Sequence, residues 1–263
     1  MTASIGFIGL GNMGAAIVRG LKGVELHGTD LNAANVETLA RECGLKAAKN
    51  AGELAACCDY LVLAVKPQHA RSVCKELAPL LKKEQCLISI CAGLTSEKLK
   101  GWLDKACPVV RVMPNTPALV NEGVFAVCLD DKELSAAQKS FVQEIFQGLG
   151  QVHALPEKDF DAFTAVIGSG PAYVFYFMEA CIESAVSLGL ARPMATKMVE
   201  GLFTGSSKLA AQSDQHVSVL REMVTSPAGT TIQALIHMDR TAMRASIIDA
   251  IRESYERSIE LGQ

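Results

Sequence analysis

A glycine-spaced turn, Gly9-Leu10-Gly11-Asn12-Met13-Gly14, follows an apolar run over residues 3–8 and opens a stretch of small and aliphatic residues over 15–18. At this spacing the first glycine takes the tight turn, the second lets backbone approach a ligand, and the third lets helix and strand pack closely. Strand, turn and helix in that order aim bare backbone amides from a helix start, which is a cradle for phosphate. Asp30 ends the next apolar run, about 20 residues on, where an acid can bind a ribose hydroxyl. This context predicts a dinucleotide-binding Rossmann unit, with Ile8, Gly9, Leu10, Gly11, Asn12, Met13, Gly14 and Asp30 at the cofactor.

Further apolar runs at 24–28, 60–65, 86–90 and 109–112, separated by helical stretches such as 32–43 and 68–81, repeat the same unit. The alternation predicts a mainly parallel, doubly wound α/β sheet with helices on both faces. Ligands of such sheets bind beyond the carboxyl ends of the strands. That rule adds Ala64, Val65, Lys66 and Pro67 after one run, Cys91, Ala92 and Gly93 after the next, and Asn115 in a Pro-Asn-Thr-Pro loop after the fifth. An acid at Asp30 repels a 2′-phosphate and leans towards NADH, whereas Asn32, Asn35, Lys49 and Asn50 offer donors to one. NADPH and NADH both stay open at this point.

A chain of 263 residues calls for two domains. With 20% charged residues, 49% hydrophobic residues and a net charge of -3, neither a disordered chain nor a nucleic-acid surface is expected. A small metabolite suits it better. The nine cysteines form no CxxC pair and the five histidines no HxxH or HExxH, so no metal site is expected and a reducing cytoplasm is the simplest location. The longest apolar stretch, 172–190, is interrupted by Glu179 and Glu183 at a spacing of four, and reads as a buried soluble helix with no membrane role.

The pattern changes near residue 151. Beyond it come helical segments at about 158–167, 171–189, 193–212, 230–238 and 241–260, with Pro171 and Pro193 at helix starts, where a missing amide hydrogen is tolerated. Residues 1–152 are therefore read as the dinucleotide-binding Rossmann domain and 153–263 as an all-α domain. Apolar residues lie on several sides of these helices, as in Tyr173-Val174-Phe175-Tyr176-Phe177-Met178, more than so small a domain can bury alone. A homodimer through this half is expected.

The opening Gly6-Phe7-Ile8-Gly9-Leu10-Gly11-Asn12-Met13-Gly14 resembles that of the β-hydroxyacid dehydrogenases. Those enzymes need a lysine base, and aligning their glycine element with Gly168-Ser169-Gly170 puts Val174 at its place; their DAPVSGG motif is also missing. A second resemblance runs through the whole chain. Ala64-Val65-Lys66-Pro67-Gln68, Arg111-Val112-Met113-Pro114-Asn115-Thr116-Pro117-Ala118, Gly168-Ser169-Gly170-Pro171-Ala172-Tyr173 and Thr225-Ser226-Pro227-Ala228-Gly229-Thr230-Thr231-Ile232-Gln233-Ala234-Leu235 together resemble the pyrroline-5-carboxylate reductases.

That resemblance implies reduction of the cyclic imine 1-pyrroline-5-carboxylate to L-proline, the last step of proline biosynthesis, with family use leaning towards NADPH. It implies that Ser226, Pro227, Ala228, Gly229, Thr230 and Thr231 hold the substrate, and that the helical half makes the dimer, with a larger ring as a further level of assembly. Ala228 stands where the commonest form of the loop has a second glycine. Thr231 is implied beside the ring nitrogen and Asp214 facing it, the carboxylate stabilising a protonated imine. An imine nitrogen is far more basic than a carbonyl oxygen, so a site without catalytic His or Lys is chemically reasonable. A nucleotide-binding protein without catalysis is the remaining rival, and the intact loop at Thr231 counts against it.

Overall fold

A computed structural model describes residues 2–262. The chain divides into two compact units, residues 1–169 with 254–263, and Gly170–Glu253. The first is built on eight strands: β1 (Ser4–Ile8), β2 (Glu25–Thr29), β3 (Lys46–Ala47), β4 (Tyr60–Leu63), β5 (Cys86–Ser89), β6 (Val109–Met113), β7 (Gly123–Cys128) and β8 (Gly150–Ala154). Between and after them lie α1 (Asn12–Gly20), α2 (Ala33–Cys43), α3 (Ala51–Cys57), α4 (Pro67–Leu77), α5 (Ser96–Trp102), α6 (Ala136–Gln147) and the short α7 (Phe160–Phe163). The sheet order is β3-β2-β1-β4-β5-β6-β7-β8, parallel except where β6 meets β7. The chain leaves β1 in one direction through β2 and returns on its other side at β4, so the order reverses beside β1.

Side-chain alternation decides how the sheet is covered. Ile5, Phe7, Val62, Ile88 and Val110 face one core with α1 and α6, while Leu61, Leu63, Leu87 and Val109 face another with α3, α4 and α5. All of β1, β4 and β5 is buried, as the continuous apolar runs require of central parallel strands. β2 instead alternates, with Leu26 and Gly28 buried and Glu25, His27 and Thr29 half-exposed.

The first unit continues past the compositional change near residue 151. β8 itself crosses 152, and its Gly150, Gln151 and His153 disguise a strand that pairs in parallel with β7. Beyond it, Glu157 Oε1 accepts from Arg111 Nη1 at 3.2 Å and from the Ser96 backbone at 2.7 Å, and the Arg111 guanidinium lies 4.7 Å from the Phe160 ring centre. Arg111 is 4% exposed, and its charge is met by the half-buried Glu157 and the face of Phe160. Phe160 and Phe163 join Ala126 and Cys128 in a third small core. The helix expected at 158–167 is interrupted: after α7 comes one wide π turn, Thr164–Gly168.

The second unit holds α8 (Gly170–Ser187), α9 (Arg192–Gln212), α10 (Val217–Met223), α11 (Thr230–Arg240) and the start of α12 (Met243–Gly262). Pro171 and Pro193 fall in first turns, as expected. The expectation of a buried helix over 172–190 is corrected: no residue of α8 is buried in the single chain, and Phe175 is 62% and Tyr176 77% exposed. Its apolar sides exceed what the neighbouring helices of one copy cover. By length and composition alone, the helical stretch Glu157–Ser187 is also long and apolar enough to cross a membrane. Glu183, near its end, makes a two-pronged pair with Arg192 at 2.7 and 3.2 Å.

Candidate active site

The glycine turn lies at the reversal point of the sheet. Gly9 takes φ +97°, a conformation that side chains rarely adopt, and a Cβ there would come within 2.6 Å of the Ala64 carbonyl oxygen. A Cβ on Gly14 would collide with the Gly9 carbonyl. Gly11 differs from both: at φ −67° it starts α1, and a Cβ there meets nothing within 4 Å. No side chain caps α1, so its first amides remain available to an anion.

Asp30 braces this turn from the end of β2. One carboxylate oxygen accepts the Leu10 amide at 2.5 Å, and the other accepts the Asn32 amide at 2.7 Å and Asn35 Nδ2 at 3.4 Å. Backbone bonds from Gly9 to Thr29 and from Ala64 to Ile8, both 2.9 Å, tie the ends of β1, β2 and β4 together. The acid thus shapes the phosphate loop whatever else it binds.

A cleft of about 1010 Å³ opens over these strand ends. Of the residues expected at the cofactor, Ile8, Gly9, Gly11, Asn12, Met13 and Asp30 line it from the first two strands. Asn50, Ala64, Val65, Lys66, Pro67, Cys91 and Ala92 line it from the others. Leu10, Gly14 and Gly93 are buried behind the surface instead. Asn115 does not line the cleft: its Oδ1 accepts from the Val124 amide at 2.8 Å and its Nδ2 donates to the Ile167 carbonyl at 3.3 Å. Its neighbour Thr116 reaches the cleft in its place.

Residues the sequence reading did not single out also contribute. His69, Ser72, Val73 and Glu76 present one face of α4 to the cleft, at the i, i+3, i+4, i+7 spacing that marks a helix side. That spacing is visible in the sequence within the helical stretch expected at 68–81, and the structure starts this helix at Pro67. Cys91 forms part of the wall, its Sγ 3.3 Å from the Val65 carbonyl and 3.5 Å from that of Leu63. Burial pushes its thiol up to about 11, so it stays protonated at neutral pH and serves as a donor rather than a nucleophile.

In the second unit, residues 225–229 turn between α10 and α11. Thr225 Oγ1 donates to the Arg221 carbonyl at 2.6 Å and closes α10. The Gly229 amide donates to the Ser226 carbonyl at 3.1 Å, and a Cβ on Gly229 would collide with Ser226 Oγ. Gly229 starts α11 without any side-chain cap, leaving the first-turn amides of Thr230, Thr231 and Ile232 bare. Ala228 takes φ +56°, a left-handed conformation that costs a non-glycine residue about 1 to 2 kcal/mol. Ala228→Gly is expected to raise thermal stability by roughly 1–4 °C once the extra entropy of glycine is counted; a lower melting temperature would show that the turn is not strained. Asp214 is exposed in the turn between α9 and α10.

Strand order, glycine turn and cleft together define a dinucleotide-binding protein of the Rossmann type with a helical second part. A family model described as pyrroline-5-carboxylate reductase dimerisation matches residues 157–261, and one described as NADP oxidoreductase, coenzyme F420-dependent, matches 4–93. The chain is 36% identical to a pyrroline-5-carboxylate reductase of Pseudomonas aeruginosa, covering 100% of this chain and 98% of that one. It is also 36% identical to that of Escherichia coli, covering 100% of both. Among solved structures, the Plasmodium falciparum pyrroline carboxylate reductase with NADP bound superposes with a TM-score of 0.88 at 34% identity, over 99% of this chain and 98% of that one. The Coxiella burnetii pyrroline-5-carboxylate reductase gives 0.90 at 33% over 100% of both. The chain belongs to the pyrroline-5-carboxylate reductase family. A 3-hydroxyisobutyrate dehydrogenase of Mycobacterium tuberculosis, at 16% identity and a TM-score of 0.55, shares the fold alone.

Proposed function

We propose that this chain reduces 1-pyrroline-5-carboxylate to L-proline with NADPH or NADH, as the last step of proline biosynthesis. The observation that carries the reading is the turn at 225–229, which leaves the start of α11 uncapped beside Thr231, in a chain related along its whole length to pyrroline-5-carboxylate reductases. The dinucleotide domain proposed over residues 1–152 is carried by the sheet unit, which runs on through β8, and the helices within 153–263 serve the substrate and the dimer.

The cleft suits a dinucleotide, because Gly9 and Gly14 occupy positions that a Cβ would block and α1 starts uncapped. Ile8 to Gly14 hold the pyrophosphate, Lys66 and Pro67 flank it, Asp30 and Asn50 meet the adenosine ribose, and Asn115 fixes the loop that carries Thr116. The reduced nicotinamide supplies the hydride that adds to the imine carbon. The amides at the start of α11, with Ser226, Pro227, Ala228, Gly229 and Thr230, bind the substrate carboxylate. Thr231 holds the ring nitrogen and passes it a proton from water, completing the change of C=N to CH–NH. A threonine hydroxyl is too weak an acid to act as a tuned proton donor, so it works as positioner and relay. Asp214 stabilises the protonated imine.

Thr231→Ala is expected to lower kcat/KM for the imine about 10- to 100-fold, with Thr231→Ser restoring most of it and cofactor affinity unchanged. Asp214→Asn is expected to lower it about 10-fold, equivalent to about 1.4 kcal/mol. Unchanged kcat/KM in both would remove these roles.

The working unit is proposed to be a homodimer through the helical half, with dimers closing into a larger ring. A second copy, rather than a lipid phase, then covers the apolar sides of α8 and α9. A net charge of -3 supports a small-molecule substrate and no nucleic-acid partner. Nine free thiols, six of them buried, support a place in the cytoplasm.

A further inference from the structure

Away from the dinucleotide cleft, the described residues bring together three side chains whose ligand atoms all lie within 4.8 Å of one another: His27, Cys57 and Cys58. Cys57 Sγ is 3.6 Å from Cys58 Sγ and 3.8 Å from His27 Nδ1. A tetrahedral ion with bonds of about 2.3 Å to sulfur and about 2.0 Å to nitrogen holds two sulfurs about 3.8 Å apart, and sulfur and nitrogen about 3.5 Å apart. The two separations made by Cys57 thus stand within a few tenths of an ångström of a ligand set, and Cys58 Sγ lies within 4.8 Å of the histidine nitrogen.

We propose that His27, Cys57 and Cys58 form a three-ligand site for a thiophilic divalent cation such as Zn²⁺, with water in the fourth position.

The surroundings of the cluster fit this use. His27 Nε2 lies 2.9 Å from Glu25 Oε1, which keeps the ring proton on that nitrogen and turns the lone pair of Nδ1 towards Cys57. A carboxylate on the second ring nitrogen is the usual support of a metal-binding histidine. Lys46 in turn pairs with Glu25 and holds it in place. Gly6 pairs with His27 across β1 and β2, and a Cβ on Gly6 would lie 2.9 Å from Cys58 Sγ, so the absent side chain is what makes room for the sulfur. A second cleft, of about 560 Å³, is lined by Glu25, Cys57 and Asp59 and gives solvent a route to Cys57. Binding as thiolates would release the two sulfhydryl protons to that solvent. No spacing motif announces the site, because the histidine comes from β2 and the adjacent cysteines from the end of α3.

Titration of the full-length, reduced chain with Co²⁺ tests the assignment. One equivalent per chain is expected, with the intense visible bands of a tetrahedral ion and a near-ultraviolet thiolate-to-cobalt band, both lost on adding Zn²⁺. His27→Ala and Cys57→Ser should each abolish these bands while leaving the circular dichroism melting curve cooperative, since Cys57 is exposed. Cys43→Ser should leave them unchanged, and Glu25→Gln should weaken Zn²⁺ binding about 10- to 100-fold. Absence of a thiolate band in the native chain, or bands that persist in both His27→Ala and Cys57→Ser, would overturn the proposal.

Discussion

Gly11→Ala is expected to leave the fold intact and to remove most of the affinity for the dinucleotide. The added methyl group meets no protein atom within 4 Å, and φ −67° suits alanine as well as glycine, so folding has no reason to suffer. The same methyl group stands where the backbone must approach the pyrophosphate. Cofactor Kd should rise at least about 100-fold, or about 2.7 kcal/mol, with a melting temperature close to that of the parent. Gly9→Ala and Gly14→Ala provide the contrast, because their methyl groups strike the carbonyls of Ala64 and Gly9. Those two should lose stability together with binding. Fluorescence titration with NADPH and NADH, alongside thermal melts, separates the two classes. Parental affinity in Gly11→Ala would remove the phosphate from this turn.

Charges introduced on the apolar sides of α8 and α9 should break the assembly. Phe175 and Tyr176 on α8, with Met194, Met198, Leu202 and Leu209 on α9, are all exposed in the single chain. Burying a side chain of this size contributes about 1.5–3 kcal/mol, and in a two-fold interface each substitution acts twice. Leu202→Glu combined with Phe175→Glu is therefore expected to weaken association more than about 1000-fold. Sedimentation should show the native chain as a dimer or larger and the double variant as a monomer. A native chain that sediments as a monomer, or a variant that stays assembled, would contradict dimerisation through these helices.

The sheet was legible where burial on both faces left unbroken apolar runs, as in β1, β4 and β5. It was less so at its far edge. β7 lies antiparallel to β6 after the Pro-Asn-Thr-Pro loop, and β8 mixes Gly150, Gln151 and His153 with only two apolar residues, so pairing rather than composition makes it a strand. The long helices α8 and α9 were legible to within a few residues because Pro171 and Pro193 mark their starts, while the seven-residue α10 was too short to show a period. At the cofactor site the glycine turn carried its own geometry, since φ +97° at Gly9 demands that residue. Asn115 was harder, because its partners Val124 and Ile167 are supplied by folding. For the same reason the burial of α8 was misjudged, since its apolar sides face outward from a single copy.

Reduction of the imine is tested most directly by the near-ultraviolet absorbance of reduced nicotinamide in the presence of the purified chain. On addition of 1-pyrroline-5-carboxylate, NADPH or NADH should be consumed in proportion to the imine, with L-proline recovered in equal amount. The ratio of kcat/KM for the two cofactors then reports how far Asp30 disfavours a 2′-phosphate. Imine-independent loss of absorbance, or none with either cofactor, would rule out this reaction.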